Sequence, residues 1–197
     1  MGKSLTGAGL QLAAHSLRTG IAEVRTLAAV ESNGQGFLDD GRVTIRFEPH
    51  IFHLRTAGRY DVTYPHLSYK EWNPKIPKNT EHSYQLFNQA CTLNATAAVL
   101  SSSWGMFQVM GFNFASCGCN NLKQFVTLME KSEDSQLERT VIYLLTTGLD
   151  DELREHRWED LARLYNGKQY KRNQYDTKLA AAYERFAAMP TITLLNP

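Results

Sequence analysis

The chain has 197 residues, a hydrophobic share of 43%, a charged share of 21% and a net charge of +1. That length suits one domain with room for a real core, and the near-neutral balance gives no broad field toward nucleic acid or anionic lipid. No apolar run approaches the roughly 18 residues of a membrane span, and Met1 to Gly9 lack the continuous apolar stretch of a secretory signal.

Leu5, Leu10, Leu12 and Leu17 mark a short amphipathic helix over 5–17, and Gly20 separates it from a second. There Ile21, Val24, Leu27, Ala28 and Glu31 recur at three- and four-residue spacing and share one face. Bulky apolar residues make that face the buried one. Glu31 is therefore expected where a carboxyl loses hydration and keeps its proton, the setting of a general acid. Ser32-Asn33-Gly34 supplies the residues that end a helix.

Asp39-Asp40-Gly41 is a tight-turn signal, and Val43, Ile45 and Phe47 then alternate with Thr44, Arg46 and Glu48. With the first trio facing the core, the second shares the wet face of a small β-hairpin. Residues 59–80 interleave aromatics (Tyr60, Tyr64, Trp72) with helix breakers. Such aromatics either stack on sugar rings or anchor a long loop. Helices follow over 81–100, 121–131, 133–147, 150–156, 158–164 and 173–188, with Tyr165-Asn166-Gly167 as a turn and Pro190 ending the last helix. Cys91, Cys117 and Cys119 are an odd set without zinc spacing and are expected as free thiols. His50, His53 and His66 lack a further ligand at suitable spacing, so no metal or cofactor is expected.

Three separated pieces resemble the motif order of goose-type lysozymes and lytic transglycosylases: Glu31-Ser32, Gly105-Met-Phe-Gln108 and Tyr165-Asn166. A closer likeness covers nearly the whole chain. Ala29–Phe37, Ile45-Arg-Phe-Glu-Pro-His-Ile-Phe52, Ser102–Phe112, Tyr165-Asn-Gly167 and Lys178–Tyr183 are similar to the N-acetylmuramidase domain of bacteriophage endolysins. The resemblance implies an α+β, mostly α-helical, lysozyme-like fold. The whole chain, 1–197, would be one catalytic domain without a separate peptidoglycan-binding domain.

The implied activity is hydrolysis of the β-1,4 bond between N-acetylmuramic acid and N-acetylglucosamine, with Glu31 as general acid. The second carboxylate is Asp40, nine residues on at the turn, or Glu48 on the polar strand face. Thr44, Ser103, Gln108, Tyr165 and Asn166 would bind substrate. The partner implied is peptidoglycan, met by a monomer with no nucleic-acid partner and no stable membrane insertion. An endolysin without a signal is made in the host cytoplasm and reaches the wall by a holin-type route. Two other readings stay open: a lytic transglycosylase, which manages with the glutamate alone, and a non-catalytic peptidoglycan-binding module.

Overall fold

Thr6 starts the first helix, α1 (Gly7–Leu17), by accepting a hydrogen bond from the Gly9 amide at 3.0 Å, and Arg18 ends it in the left-handed region. The structure is a computed structural model that describes residues 4–32, 35–73, 79–167 and 170–189, without the side chains of Glu31, Ser32 and Asn166. Helix α2 (Ile21–Ser32) packs on α1. Val24, Leu27 and Ala28 are buried, and Ile21 packs against the same core, as their spacing predicts. Glu31 lies in the last turn of α2, whereas Asn33 and Gly34, expected to stop the helix, lie outside the described residues.

Two buried polar residues on α2 escape the apolar pattern. Thr26 donates to Ala22 O at 2.8 Å, and Glu23 meets His156 Nε2 at 2.9 Å. The imidazole in turn stacks on Trp158 and tilts against Tyr183, with ring centroids 5.1 and 4.0 Å away. Through His156, one polar contact and one aromatic contact thus join the start of α2 to Tyr183 of the last helix, α9 (Tyr175–Ala187).

The expected hairpin is part of a three-stranded antiparallel sheet in the order β1–β2–β3: Ile45–Phe47, Ser102–Trp104 and Val109–Met110. Locally, the 39–41 turn is closed by a single bridge, Phe37 to Val43. The remaining pairing is long-range because the apolar partners of β1 lie there. Ile45 pairs with Trp104 and Trp104 with Val109, and all three are buried. On the other face, Arg46 pairs with Ser103 and Ser103 with Met110, a row that is polar on β1 and β2 and ends in a thioether on β3. Alternation thus separates core from site within three residues.

Pro49 begins the short helix α3 (Pro49–Arg55). Tyr60 stacks on Phe52 and donates to Leu93 O at 3.0 Å, and Tyr64 meets Tyr60 edge-on. These two loop aromatics are therefore packing anchors of a small second core with Phe47, Leu67 and Leu86. Pro74 and Pro77 lie outside the described residues. Helix α4 (Thr80–Leu100) is broken at Asn94, whose backbone is extended and whose side chain accepts from the Ala97 amide at 2.9 Å. An internal cap restarts a helix that the sequence pattern reads as continuous.

The main core joins α1, α2 and the sheet to α5 (Leu122–Lys131), α6 (Glu133–Thr147), α7 (Asp150–Arg154), α8 (Trp158–Asn166) and α9. Tyr165 and Asn166, expected in a turn, form the last residues of α8, and the turn begins at Gly167 with φ +77°. The final helix is also shorter than expected. A 3₁₀ segment takes Tyr170–Asn173, and Gln174 at φ +54° separates it from α9.

Candidate active site

Gly36 O accepts from the Thr44 amide at 2.9 Å, and Thr44 O accepts from the Gly105 amide at 2.8 Å. These two bonds set the chain leaving α2, the approach to β1 and the Gly105–Gln108 turn side by side. A buried glutamine of α6 locks them. Gln136 Oε1 accepts from the Met106 amide at 2.7 Å, while its Nε2 donates to Met129 O at 2.8 Å and Gly36 O at 3.3 Å. A Cβ at Gly36 or Gly105 would stand 2.3 or 2.6 Å from this amide group, so both positions need glycine. Glu133 adds a fourth tie, accepting from the Gly36 amide at 2.8 Å. No motif marks Gln136 or Glu133. Only their position at the start of α6 brings them here.

A cleft of about 570 Å³ opens beside this junction. Glu48, Ser103, Gln108 and Tyr165 line it, from three places far apart in sequence. Arg46, His50, Trp72, Tyr143 and Tyr175 complete much of the wall. Ser103 Oγ donates to Gln108 Oε1 at 2.8 Å and Gln108 Nε2 donates to Gly105 O at 2.9 Å, so the amide is fixed although its backbone has φ +49°. Tyr165 donates to Phe107 O at 2.7 Å and meets Tyr143 edge-on, which ties α8 to the turn. Thr44 Oγ1 is buried and makes no hydrogen bond among the described residues.

Glu48 occupies the N-cap position of α3 but does not cap it with its side chain. Its carboxylate instead pairs with Arg46 Nε at 2.9 Å and approaches His50 Nδ1 at 3.5 Å. Burial, and then the charge of Arg46, hold the His50 imidazole below its ordinary value. Burial and the charge of Glu48 push the Tyr69 hydroxyl up to about 12, and that hydroxyl makes no hydrogen bond among the described residues. The cleft therefore carries an ion-paired carboxylate, and the phenol of Tyr69, which is not among the lining residues, stays neutral.

Asp40 sits elsewhere. Its carboxylate accepts from the Arg42 side chain at 2.7 Å and the Arg42 amide at 3.0 Å, and these bonds hold it below the usual carboxylate range. Arg42 also pairs with Glu81 at 2.7 Å and lies 4.6 Å from the Tyr84 ring, which fastens the turn to α4 rather than to the cleft. Asn166 lies in the last turn of α8, and its side chain, like that of Glu31, is outside the described ones. Among the described residues no group of three or more His, Cys, Asp or Glu could hold a metal ion. All three thiols are free, with Cys117 and Cys119 buried.

A helical body, a small antiparallel sheet and a polar, aromatic cleft between them define a lysozyme-like glycosidase. The family model for N-acetylmuramidase matches residues 20–187. The crystal structure of an endolysin from Burkholderia AP3 phage superposes with a TM-score of 0.83 at 36% identity, covering 94% of this chain and 71% of that one. The endolysin of Enterobacteria phage PRD1 is 27% identical over 147 residues, 72% of this chain and 83% of its own. The chain belongs to the N-acetylmuramidase family, glycoside hydrolases of the lysozyme type that act on peptidoglycan.

Proposed function

We propose that the chain hydrolyses the β-1,4 bond between N-acetylmuramic acid and N-acetylglucosamine, with Glu31 as general acid and Glu48 as the second carboxylate. The observation that carries this reading is the meeting of Glu48, Ser103, Gln108 and Tyr165 around one cleft. The chain that leaves the helix bearing Glu31 is bonded into the same wall through Gly36. Glu31 gives its proton to the leaving oxygen as the glycosidic bond breaks. Glu48, in its ion pair with Arg46, is an anion that faces the oxocarbenium-like centre or takes a proton from the attacking water. Ser103 and Gln108 hold the sugar, whereas Thr44, whose hydroxyl is buried and which is not among the lining residues, supports the wall through its backbone. Asp40, spent on Arg42, is a turn residue in this reading. Asn166 follows Tyr165 at the cleft by the motif alone.

The protein acts as a monomer on peptidoglycan, without nucleic acid, and residues 1–197 work as one catalytic domain. Among the described residues no helix is long and apolar enough to cross a membrane, and a holin-type route delivers the enzyme to the wall. The test is digestion of purified peptidoglycan by wild type, Glu31→Gln, Glu48→Gln and Asp40→Asn, with mass spectrometry of the products. Reducing muramic-acid ends, lost in the first two variants and kept in the third, are expected. Anhydromuramic products would make it a transglycosylase, and activity surviving in Glu31→Gln would remove the acid.

A further inference from the structure

Arg172 approaches the cleft from the 3₁₀ segment Tyr170–Asn173, beside Asn173, which lines it. Its guanidinium lies 5.1 Å from the centre of the Trp72 ring, which reaches the same cleft from the loop after α3. Several neighbouring cations are neutralised by carboxylates: Lys171 pairs with Glu159 at 2.9 Å, Arg163 with Asp160 at 2.7 Å, and Arg46 with Glu48. Arg55 lies 4.9 Å from the centre of the Phe112 ring and Lys178 5.8 Å from that of Tyr175, but a lysine lacks the planar fork, and Arg55 belongs to α3, away from the Tyr170–Asn173 segment. Arg172 makes no ion pair among the described residues, although it is exposed at the rim. An aromatic face orients a guanidinium and leaves the N–H fork at its edge open, and that fork matches a carboxylate.

Resting on the muramidase reading, we propose that Arg172, oriented by Trp72, receives a carboxylate of the lactyl-peptide arm of N-acetylmuramic acid. That arm is the anionic part of the glycan, and Arg46, the one arginine or lysine among the described residues that line the cleft, is already paired with Glu48. Arg172 is then a specificity residue that reads the muramic sugar, and Trp72 is a positioning residue that acts through it. The carboxylate belongs either to the lactyl group itself or to the stem peptide.

Three soluble substrates separate these sources: glycan chains with stem peptides, chains stripped to the free lactyl carboxylate, and stripped chains with that carboxylate converted to an amide. Steady-state kinetics are measured for wild type, Arg172→Gln, Arg172→Lys and Trp72→Leu. On carboxylate-bearing chains Arg172→Gln should raise KM about three- to tenfold with kcat little changed. Arg172→Lys should recover part of the loss, since it keeps the charge but not the fork. Trp72→Leu should follow Arg172→Gln in the same direction. On the amidated chains Arg172→Gln should match wild type. Loss only on the stripped chains assigns the lactyl carboxylate, which a stem peptide ties up as an amide; loss only with stem peptides assigns a peptide carboxylate, and loss on both means that the fork takes either. An equal KM change on charged and amidated chains would overturn the proposal. Failure of wild type to release reducing ends from any chain would overturn the muramidase reading and this one with it.

Discussion

Replacing Gln136 by leucine isolates the polar junction, because the two side chains differ little in volume and packing is largely preserved. The variant strands two buried backbone groups, the Met106 amide bonded at 2.7 Å and the Met129 carbonyl bonded at 2.8 Å, and removes the 3.3 Å bond from the Gly36 carbonyl, which keeps the Thr44 amide. Each buried group left without a partner costs about 1–3 kcal/mol. The 3.3 Å bond is weak and counts least, so the sum is about 3–5 kcal/mol. That is a large share of the roughly 5–15 kcal/mol that holds a domain together. At about 2–4 °C per kcal/mol for a chain of this size, the midpoint should fall by roughly 6–20 °C. Urea and thermal unfolding followed by circular dichroism measure it. Gln136→Glu serves as the control, since its carboxyl accepts from Met106 when ionised but donates to Gly36 only when protonated. Its deficit should therefore shrink as the pH falls toward the carboxyl range. A Gln136→Leu protein within about 1 kcal/mol of wild type would refute the junction.

A Cβ at Gly111 would stand 2.0 Å from Val99 O, a backbone atom that cannot swing aside, so Gly111→Ala should lose about 3 kcal/mol or more by urea titration. Stability equal to wild type would mean that β3 and α4 are less tightly apposed than described. Burial raises all three thiols, Cys117 to about 12, and only Cys91 is better than fully buried. A thiol reagent near pH 8 should thus modify Cys91 slowly and reach Cys117 and Cys119 only on unfolding, and rapid reaction of three thiols in the native protein would contradict this. Burial, followed by Arg46, lowers the His50 value from 6.5, against the pull of Glu48 at 3.5 Å. A lowered folded value means that the neutral ring contributes stability present above pH 6.5 and lost as the pH falls through the folded value. Relative to wild type, His50→Gln should flatten that decline, and an NMR titration placing His50 at or above 6.5 would reverse the sign.

Much of the fold is written in local patterns. The three-to-four spacing of Val24, Leu27 and Ala28 determined which side of α2 is buried, and the alternation from Val43 to Glu48 determined which side chains of β1 face the core. The same alternation put Arg46 and Glu48 on the face that the cleft uses, and the ordered motifs carried Ser103, Gln108 and Tyr165 to its lining. These features depend on neighbours a few residues apart, so a linear pattern is enough to contain them. Tertiary structure decided the rest. Glu48 and Asp40 stand equal as carboxylates on a string of residues, and they differ only because Arg42 is held against Glu81 and Tyr84 on one side of the molecule while Glu48 opens on the cleft at the other. The partner of β1 is not a local hairpin arm but Ser102–Trp104, far along the chain, where matching apolar rows lie. Gln136, Glu133, Glu23 with His156, and Arg172 over Trp72 have no periodicity or motif, because each acquires its meaning from a group 30 to 133 residues away. Hydrogen bonds and ion pairs act at contact distance, and only the packed chain determines who is in contact.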